Sequence, residues 1–294
     1  MRLVTYEDEN GSVDVGIVNR KGNKVISLSE MGLDCRDMAE VIAVMAGSKY
    51  FEAAKILSDS QFGKDICSVR LLSPILYPAQ DVICLGVNYE AHASEAASYE
   101  KEAFDLKAQC PVYFSKRVNR ATADGEDIFS YPEFVKKLDY EVELAVIIGR
   151  EARNVKKGQA YKYVFGYTIL NDLSARDLQT SHKQWYFGKS LDGFTPMGPW
   201  IVTADEIPYP PKLLIQSYVN VELRQSSNTE RLIFSIDDVI CELSQGITLR
   251  PGTIISMGTP EGVGMGFNPP KFLKPGDTVK CVIENIGTLT NKIV

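Results

Sequence analysis

The stretch LDYEVELAVIIGR, Leu138 to Arg150, alternates charged and apolar positions before it turns wholly apolar. Asp139, Glu141 and Glu143 fall on one side of a period of two, and Tyr140, Val142 and Leu144 on the other. That period predicts a β-strand with one apolar face. Further strands are expected at VICLGV, YVFGYTILN, LLIQSYVNVEL, TIISMG and TVKCVIENIGTL. Near the N-terminus, RLVTYED and VDVGIVN predict two strands around a turn at Asn10-Gly11. DMAEVIAVMAG and FEAAKILSD carry apolar residues at three-to-four spacing and predict helices. The proline-bearing segment Ser73–Pro78 separates the two textures. The expected organisation is a small N-terminal α+β domain over residues 1–75 and a mostly β domain over 76–294, mixed α+β and predominantly β overall.

Composition narrows the function. The chain has 294 residues, 45% hydrophobic and 24% charged, the usual balance of a water-soluble globular protein. No apolar run reaches the ~18–20 residues needed to span a bilayer, so no membrane partner is expected. A net charge of -6 argues against a nucleic-acid partner, which needs a basic face. The opening MRLVTYEDENG has no leader-like apolar run, and the six cysteines form no C-x-x-C pair. Reduced thiols and a cytoplasmic location are expected.

Two glutamates at i and i+2 on a strand lie roughly 6–7 Å apart and repel. Either that face is solvated, or Glu141 and Glu143 share a cation. Asp172, ending YVFGYTILND, would complete an all-oxygen set, which suits Mg²⁺ or Mn²⁺ better than zinc; its alternative is to cap a helix. If a helix begins near Asp172, Arg176 and Gln179 follow at i+4 and i+7 on its face. They could hold a carboxylate and a carbonyl, or Arg176 could merely pair with Asp172 on the surface. His92 follows VICLG, with Glu95 three residues on, a spacing at which the pair could activate water or lie on a surface turn. Lys189, in WYFGKSLDGF, could stabilise an enolate or snorkel at the surface, and the glycine spacing of a phosphate loop is absent. The glycine-rich SMGTPEGVGMG offers the amide of Gly258 and the hydroxyl of Thr259 to an anionic group.

In order along the chain, GVNYEAHASE, LDYEVELAVIIGR, GYTILNDLSARDLQ, FGKSLDGFTPMGPW and GTPEGVG together resemble the fumarylacetoacetate hydrolase family, from about Asp81 to Val294. The resemblance implies a mixed β-roll catalytic domain, a homodimer, and Mg²⁺ or Mn²⁺ on Glu141, Glu143 and Asp172. It implies substrate-facing roles for Arg176, Gln179, Lys189, Gly258 and Thr259, and a His92–Glu95 dyad. Members resembling fumarylacetoacetase itself carry a further aspartate ligand where this chain has Leu85, and Lys116-Arg117 stands where Lys-Pro is common. The expected reaction is hydrolytic cleavage of a carbon–carbon bond in a small anionic 2-oxo acid of the acylpyruvate type. In it, His92 and Glu95 activate water, while Lys189 and the metal stabilise the enolate. Decarboxylation or isomerisation at the same site is the alternative, and a non-catalytic metal binder a further one. The polar segment Ala93–Gln109 is expected to close over substrate.

Overall fold

The computed structural model of the protein describes residues 1–99 and 110–294. The chain begins with β1 (Arg2–Glu7), β2 (Val13–Val18) and β3 (Lys24–Ser27). Helices α1 (Met38–Met45) and α2 (Lys49–Leu57) and the short β4 (Lys64–Asp65) and β5 (Arg70–Leu72) follow. Next come β6 (Val82–Gly86), α3 (Glu90–Tyr99), β7 (Val112–Lys116), β8 (Asp127–Ile128), β9 (Leu138–Asp139), β10 (Val142–Ile148) and β11 (Val164–Asn171). The chain continues through β12 (Ser174–Ala175), α4 (Arg176–Ser181), α5 (Tyr186–Lys189) and β13 (Met197–Thr203). It ends with β14 (Leu214–Val219), β15 (Glu222–Asn228), α6 (Ile236–Gly246), β16 (Ile254–Ser256), β17 (Thr278–Ile283) and β18 (Gly287–Ile293). The architecture is α+β and dominated by strands. Of the expected closing segment, Ala93–Tyr99 completes α3, and 100–109 lies outside the described residues.

One large sheet runs β4-β3-β2-β1-β13-β11-β10-β16-β6-β7, and a second runs β15-β14-β17-β18-β8. The expected turn at Asn10-Gly11 joins β1 to β2, with Gly11 at a φ of 78°. Because β1 pairs with β13, the large sheet crosses the segment between residues 75 and 76. Two stretches expected as single strands are hairpins. LLIQSYVNVEL turns at Asn220, whose φ of 57° suits an asparagine, and TVKCVIENIGTL turns at Asn285.

The central strand β10 explains its own sequence. Val142, Leu144, Val146 and Ile148 enter the larger core, shared with the second sheet, whereas Ala145 and Ile147 enter the core beneath α1 and α2. All seven β10 residues are buried, so the solvated-face reading of the glutamates fails. Glu143 shares its face with Ala145 and Ile147 but stands at the strand's beginning, beyond the apolar filling. None of the six cysteines is in a disulfide; Cys84 and Cys281 are buried, while Cys67 and Cys110 are exposed. No helix among the described residues is long and apolar enough to cross a membrane.

Candidate metal centre and active site

Strand register builds the carboxylate cluster. The antiparallel pairing of β10 with β11 sets Val142 opposite Asn171, so Asp172 emerges beside Glu141, and its amide donates to the Glu141 carbonyl at 2.8 Å. One carboxylate oxygen from each of Glu141, Glu143 and Asp172 lies within 4.8 Å of the others, and all three residues are buried. The long strand expected over this region breaks after Asp139. β9 pairs instead with β12, and Asp139 accepts from the amides of Gly264 and Met265 at 2.6 and 3.0 Å. The third carboxylate of the alternation therefore serves the glycine-rich turn and Arg176, not the cluster.

Cations close the site from the other side. The Lys189 ammonium lies 2.6 Å from both Glu141 Oε2 and Asp172 Oδ2. Lys116 Nζ donates to Asp172 Oδ1 at 2.7 Å, to the Leu173 carbonyl at 3.0 Å and to the Lys189 carbonyl at 2.5 Å. Arg176 donates through Nε to Asp139 at 2.9 Å and through Nη1 to Gln179 at 3.0 Å. Its Nη2 stands 2.6 Å from Glu141 Oε1 as an ion pair, without the alignment of a hydrogen bond. Helix α4 starts at Arg176, not at Asp172, because Ser174 and Ala175 are held in β12; Arg176 and Gln179 share a face through i,i+3 spacing. Gly188 permits the close approach of α5, since a Cβ there would lie 2.8 Å from the Ala175 carbonyl oxygen.

Burial drives the electrostatics. It raises the Glu143 carboxyl well above the usual range, and Asp172 and Glu141 push it further the same way. Burial would also raise Glu141, but Arg176 and Lys189 outweigh it and hold that carboxyl well below the ordinary range. Lys189 loses charge stability to burial but regains more from Asp172 and Glu141, so its ammonium is raised. Lys116 is lowered, because burial outweighs Asp172. Four buried carboxylates (Asp139, Glu141, Glu143 and Asp172) thus face three buried cations (Lys116, Arg176 and Lys189). With Glu143 protonated the charges balance.

The donor set fits a divalent metal. It is all oxygen, and a cation at Glu143 would relieve the repulsion that now favours a proton there. Glu143 Oε2 accepts from Ser256 Oγ at 2.6 Å and from the Gly258 amide at 3.0 Å. Asp172 Oδ1 is held by Lys116 and Glu141 Oε1 by Arg176, while their second oxygens, Asp172 Oδ2 and Glu141 Oε2, share the Lys189 ammonium, so a cation there would take oxygens that Lys189 now holds. Three carboxylates with no His or Cys among them suit Mg²⁺ or Mn²⁺.

The dyad stands across the cavity. Strand β6 leaves the sheet at Val87, whose φ of 58° is costly for a β-branched residue. Asn88 holds this turn, donating to the Met257 carbonyl at 2.8 Å and accepting from the Phe234 amide at 2.7 Å. Helix α3 follows, with His92 Nδ1 3.1 Å from Glu95 Oε2, while Glu95 also accepts from the Gly262 amide at 3.0 Å. His92, Glu141, Glu143, Arg176, Gln179 and Lys189 line one cavity, joined by Thr259. Thr259 Oγ1 itself donates to the Val142 carbonyl at 2.9 Å and accepts from Gln225 at 2.7 Å, and the Gly258 amide is taken by Glu143. All ten expected site residues therefore converge.

Sequence reasoning missed Asp139, Lys116, Ser256 and Gln225 as parts of the site. Asp139 carried a signal as the first member of the alternation, and Lys116 as the lysine of a Lys-Arg pair where Lys-Pro is common; Ser256 and Gln225 are ordinary polar residues until the fold encloses them.

Comparison with known proteins gives the family. Residues 81–294 match the family model described as fumarylacetoacetate (FAA) hydrolase C-terminal. The chain is 44% identical over 259 residues to the oxaloacetate tautomerase YisK of Bacillus subtilis, covering 85% of this chain and 84% of that protein. Among solved structures, the fumarylacetoacetate hydrolase of Exiguobacterium antarcticum superposes with a TM-score of 0.84 at 36% identity, over 100% of this chain and 99% of that one. A maleylpyruvate hydrolase of Sphingobium sp. SYK-6, in complex with manganese(II) and pyruvate, gives a TM-score of 0.79 at 28% identity, over 100% and 99%. These relatives carry the names of enzymes, a tautomerase and two hydrolases, and on the strength of the matched 81–294 region this chain belongs to the fumarylacetoacetate hydrolase family.

Proposed function

We propose that the protein is a divalent-metal-dependent enzyme that enolises a small 2-oxo acid, interconverting the keto and enol forms of an oxaloacetate-like dicarboxylate. The observation that carries this reading is the charge balance of the site. Four buried carboxylates and three buried cations sum to one negative charge, which a divalent ion on the carboxylates would turn into one positive charge. A net positive, enclosed site attracts an anion and stabilises an enolate. The likeness to an oxaloacetate tautomerase supports the choice of reaction. Mg²⁺ or Mn²⁺ on Glu141, Glu143 and Asp172 would supply a Lewis acid and a template for the 2-oxo and carboxylate oxygens.

The chain's own residues supply the rest. Glu95 at Nδ1 of His92 fixes the tautomer that presents Nε2 as the base. His92 takes the C3 proton and, as imidazolium, returns it to the enolate oxygen, so one C–H bond becomes one O–H bond. Lys189 stays an ammonium and stabilises the enolate charge. Arg176, paired through Nη2 with Glu141 and through Nη1 with Gln179, sets a guanidinium beside an amide on the cavity wall, where they would bind the substrate carboxylate. A homodimer belongs to the same reading and is read by light scattering.

Hydrolysis of an acylpyruvate is the second reading, favoured by the His92–Glu95 dyad and the maleylpyruvate hydrolase neighbour. There His92 deprotonates water for attack on the distal carbonyl, and the carbon–carbon bond breaks to leave an enolate. Oxaloacetate and acetylpyruvate, followed in parallel by absorbance with Mg²⁺, Mn²⁺ or chelator, decide between them. Metal-dependent keto–enol exchange without cleavage supports the first reading, and metal-dependent cleavage supports the second. Inactivity toward both, with metal bound, contradicts both.

A further inference from the structure

Three of the site's four buried carboxylates form the cluster, and the fourth, Asp139, lies outside it. Asp139 is not among the cavity walls, yet its two oxygens accept four hydrogen bonds. Oδ1 accepts from the Tyr140 amide at 2.9 Å and from the Gly264 amide at 2.6 Å. Oδ2 accepts from the Met265 amide at 3.0 Å and from Arg176 Nε at 2.9 Å. A buried carboxylate satisfied in this way is a rigid anchor, because letting any partner go leaves polar groups unpaired out of water.

What Asp139 anchors is a turn that also grips the dyad. The hydroxyl of the next residue, Tyr140, donates to the Gly262 carbonyl at 2.9 Å. Asp139 and Tyr140 therefore hold the turn together, at Gly262, Gly264 and Met265. The Gly262 amide donates in turn to both Glu95 oxygens, at 3.0 and 3.2 Å, and Glu95 Oε2 meets His92 Nδ1 at 3.1 Å. Apolar contact follows the same route, since Ala96 of α3 packs with Val263 and Met265. Glycine makes these approaches possible. Gly262 has a φ of 98°, a Cβ on Gly264 would lie 2.6 Å from Asp139 Oδ1, and one on Gly266 would collide with Glu95 Oε1. The strand break at Asp139–Tyr140 thus reaches Arg176 on one side and His92 on the other.

We propose that Asp139 and Tyr140 are positioning residues for the dyad, holding the Gly262–Gly266 turn so that Glu95 fixes the Nδ1–H tautomer of His92. This rests on the reading above, in which His92 Nε2 is the base and Arg176 binds the acid. Asp139 serves both halves of the site, because its other partner is Arg176. The Tyr140 hydroxyl touches the turn and Arg224, and so serves the dyad half. When either grip is loosened, the Gly262 amide draws back from Glu95. The imidazole then drifts toward the Nε2–H form, in which Nε2 cannot take a proton.

The chain has two histidines, His92 and the exposed His182, so nitrogen NMR of histidine-labelled protein reads His92 once His182→Gln assigns the pair. With the ring neutral, the wild type should hold the Nδ1–H form. Gly266→Ala, which drives a methyl into Glu95, should shift the balance most. Asp139→Asn should lower the ratio of Nδ1–H to Nε2–H about fivefold, what one ordinary hydrogen bond is worth, and Tyr140→Phe should lower it less. Calorimetry separates the two halves. Oxalate in Mg²⁺ should bind Asp139→Asn more weakly and Tyr140→Phe as it binds the wild type, while Mn²⁺ affinity changes little in either. An unchanged ratio in Asp139→Asn or in Tyr140→Phe overturns the shared grip on the turn. Loss of Mn²⁺ binding in either variant moves its role to the carboxylate cluster and overturns the proposal. A wild-type ring in the Nε2–H form, or a Gly266→Ala ratio equal to the wild type's, contradicts the dyad reading itself, and this inference with it.

Discussion

The N-terminal region and the carboxylate site both bring opposite charges to the same distance, with opposite consequences. Lys64 and Asp8 meet at 2.7 Å and Arg70 and Glu7 at 2.7 Å, with the two cations about half exposed at 46% and 58%. Lys189 and Asp172 meet at 2.6 Å, with 2% and 0% of their side chains exposed. The surface pairs add little to stability, because water and salt screen them and long side chains lose freedom. The buried pairs cost desolvation that their attraction barely offsets, so they are poor devices for stability alone. A cluster that is this expensive and still raises one carboxyl well above its ordinary range points to use.

The comparison breaks most sharply at Lys189. Lys189→Met would leave Glu141 and Asp172 buried with one counter-charge fewer. The metal-free protein should lose about 3–5 kcal/mol in denaturant unfolding, and Mg²⁺ or Mn²⁺ should restore part of it. Glu143→Gln should do the reverse. Metal-free stability should hold or rise as repulsion from Glu141 and Asp172 disappears, while Mn²⁺ affinity falls by about a hundredfold or more in calorimetry. Asp139→Asn removes the negative charge that faces Arg176 Nε but no metal ligand. Oxalate affinity should fall about tenfold while Mn²⁺ affinity changes much less.

Proton linkage sharpens the same contrast. The Glu143 carboxyl is raised by burial and by its two acidic neighbours, so the protonated form stabilises the metal-free fold below the ordinary carboxylate range. That contribution is lost as pH rises through the raised value, and metal binding must release the proton. Mn²⁺ affinity should therefore increase with pH across the window above the ordinary carboxylate range, by up to about tenfold per pH unit. A pH-independent affinity contradicts Glu143 as a ligand. The smallest effect belongs to the surface: Lys64→Met should leave the melting temperature unchanged within error.

Much of this was legible in the chain, for reasons that differ by residue. The E-x-E pair could be read because strand periodicity is local, and Asp172 because it ends an apolar run. The ordered blocks then identified the family, which supplied the roles of His92, Glu95 and Lys189 as expectations. Asp139 was misplaced with the glutamates because a period of two cannot show a strand breaking at Tyr140. The contacts of Lys116 and Gln225 were invisible, since long-range register makes them. Nothing local marks a lysine whose ammonium will meet Asp172, or a glutamine that will join β15 to the glycine-rich loop through Thr259 and the Pro260 carbonyl. The hairpins at Asn220 and Asn285 were hidden inside apolar runs, where a single asparagine at positive φ reverses the chain.

The most direct test follows oxaloacetate keto–enol exchange by absorbance with chelator-treated protein as Mn²⁺ is added back, wild type beside Glu143→Gln. The expected result is exchange that appears only with Mn²⁺, saturates with the calorimetric metal affinity, and is lost in Glu143→Gln. Exchange that persists in chelator, or survives undiminished in Glu143→Gln, would contradict a catalytic metal on these carboxylates.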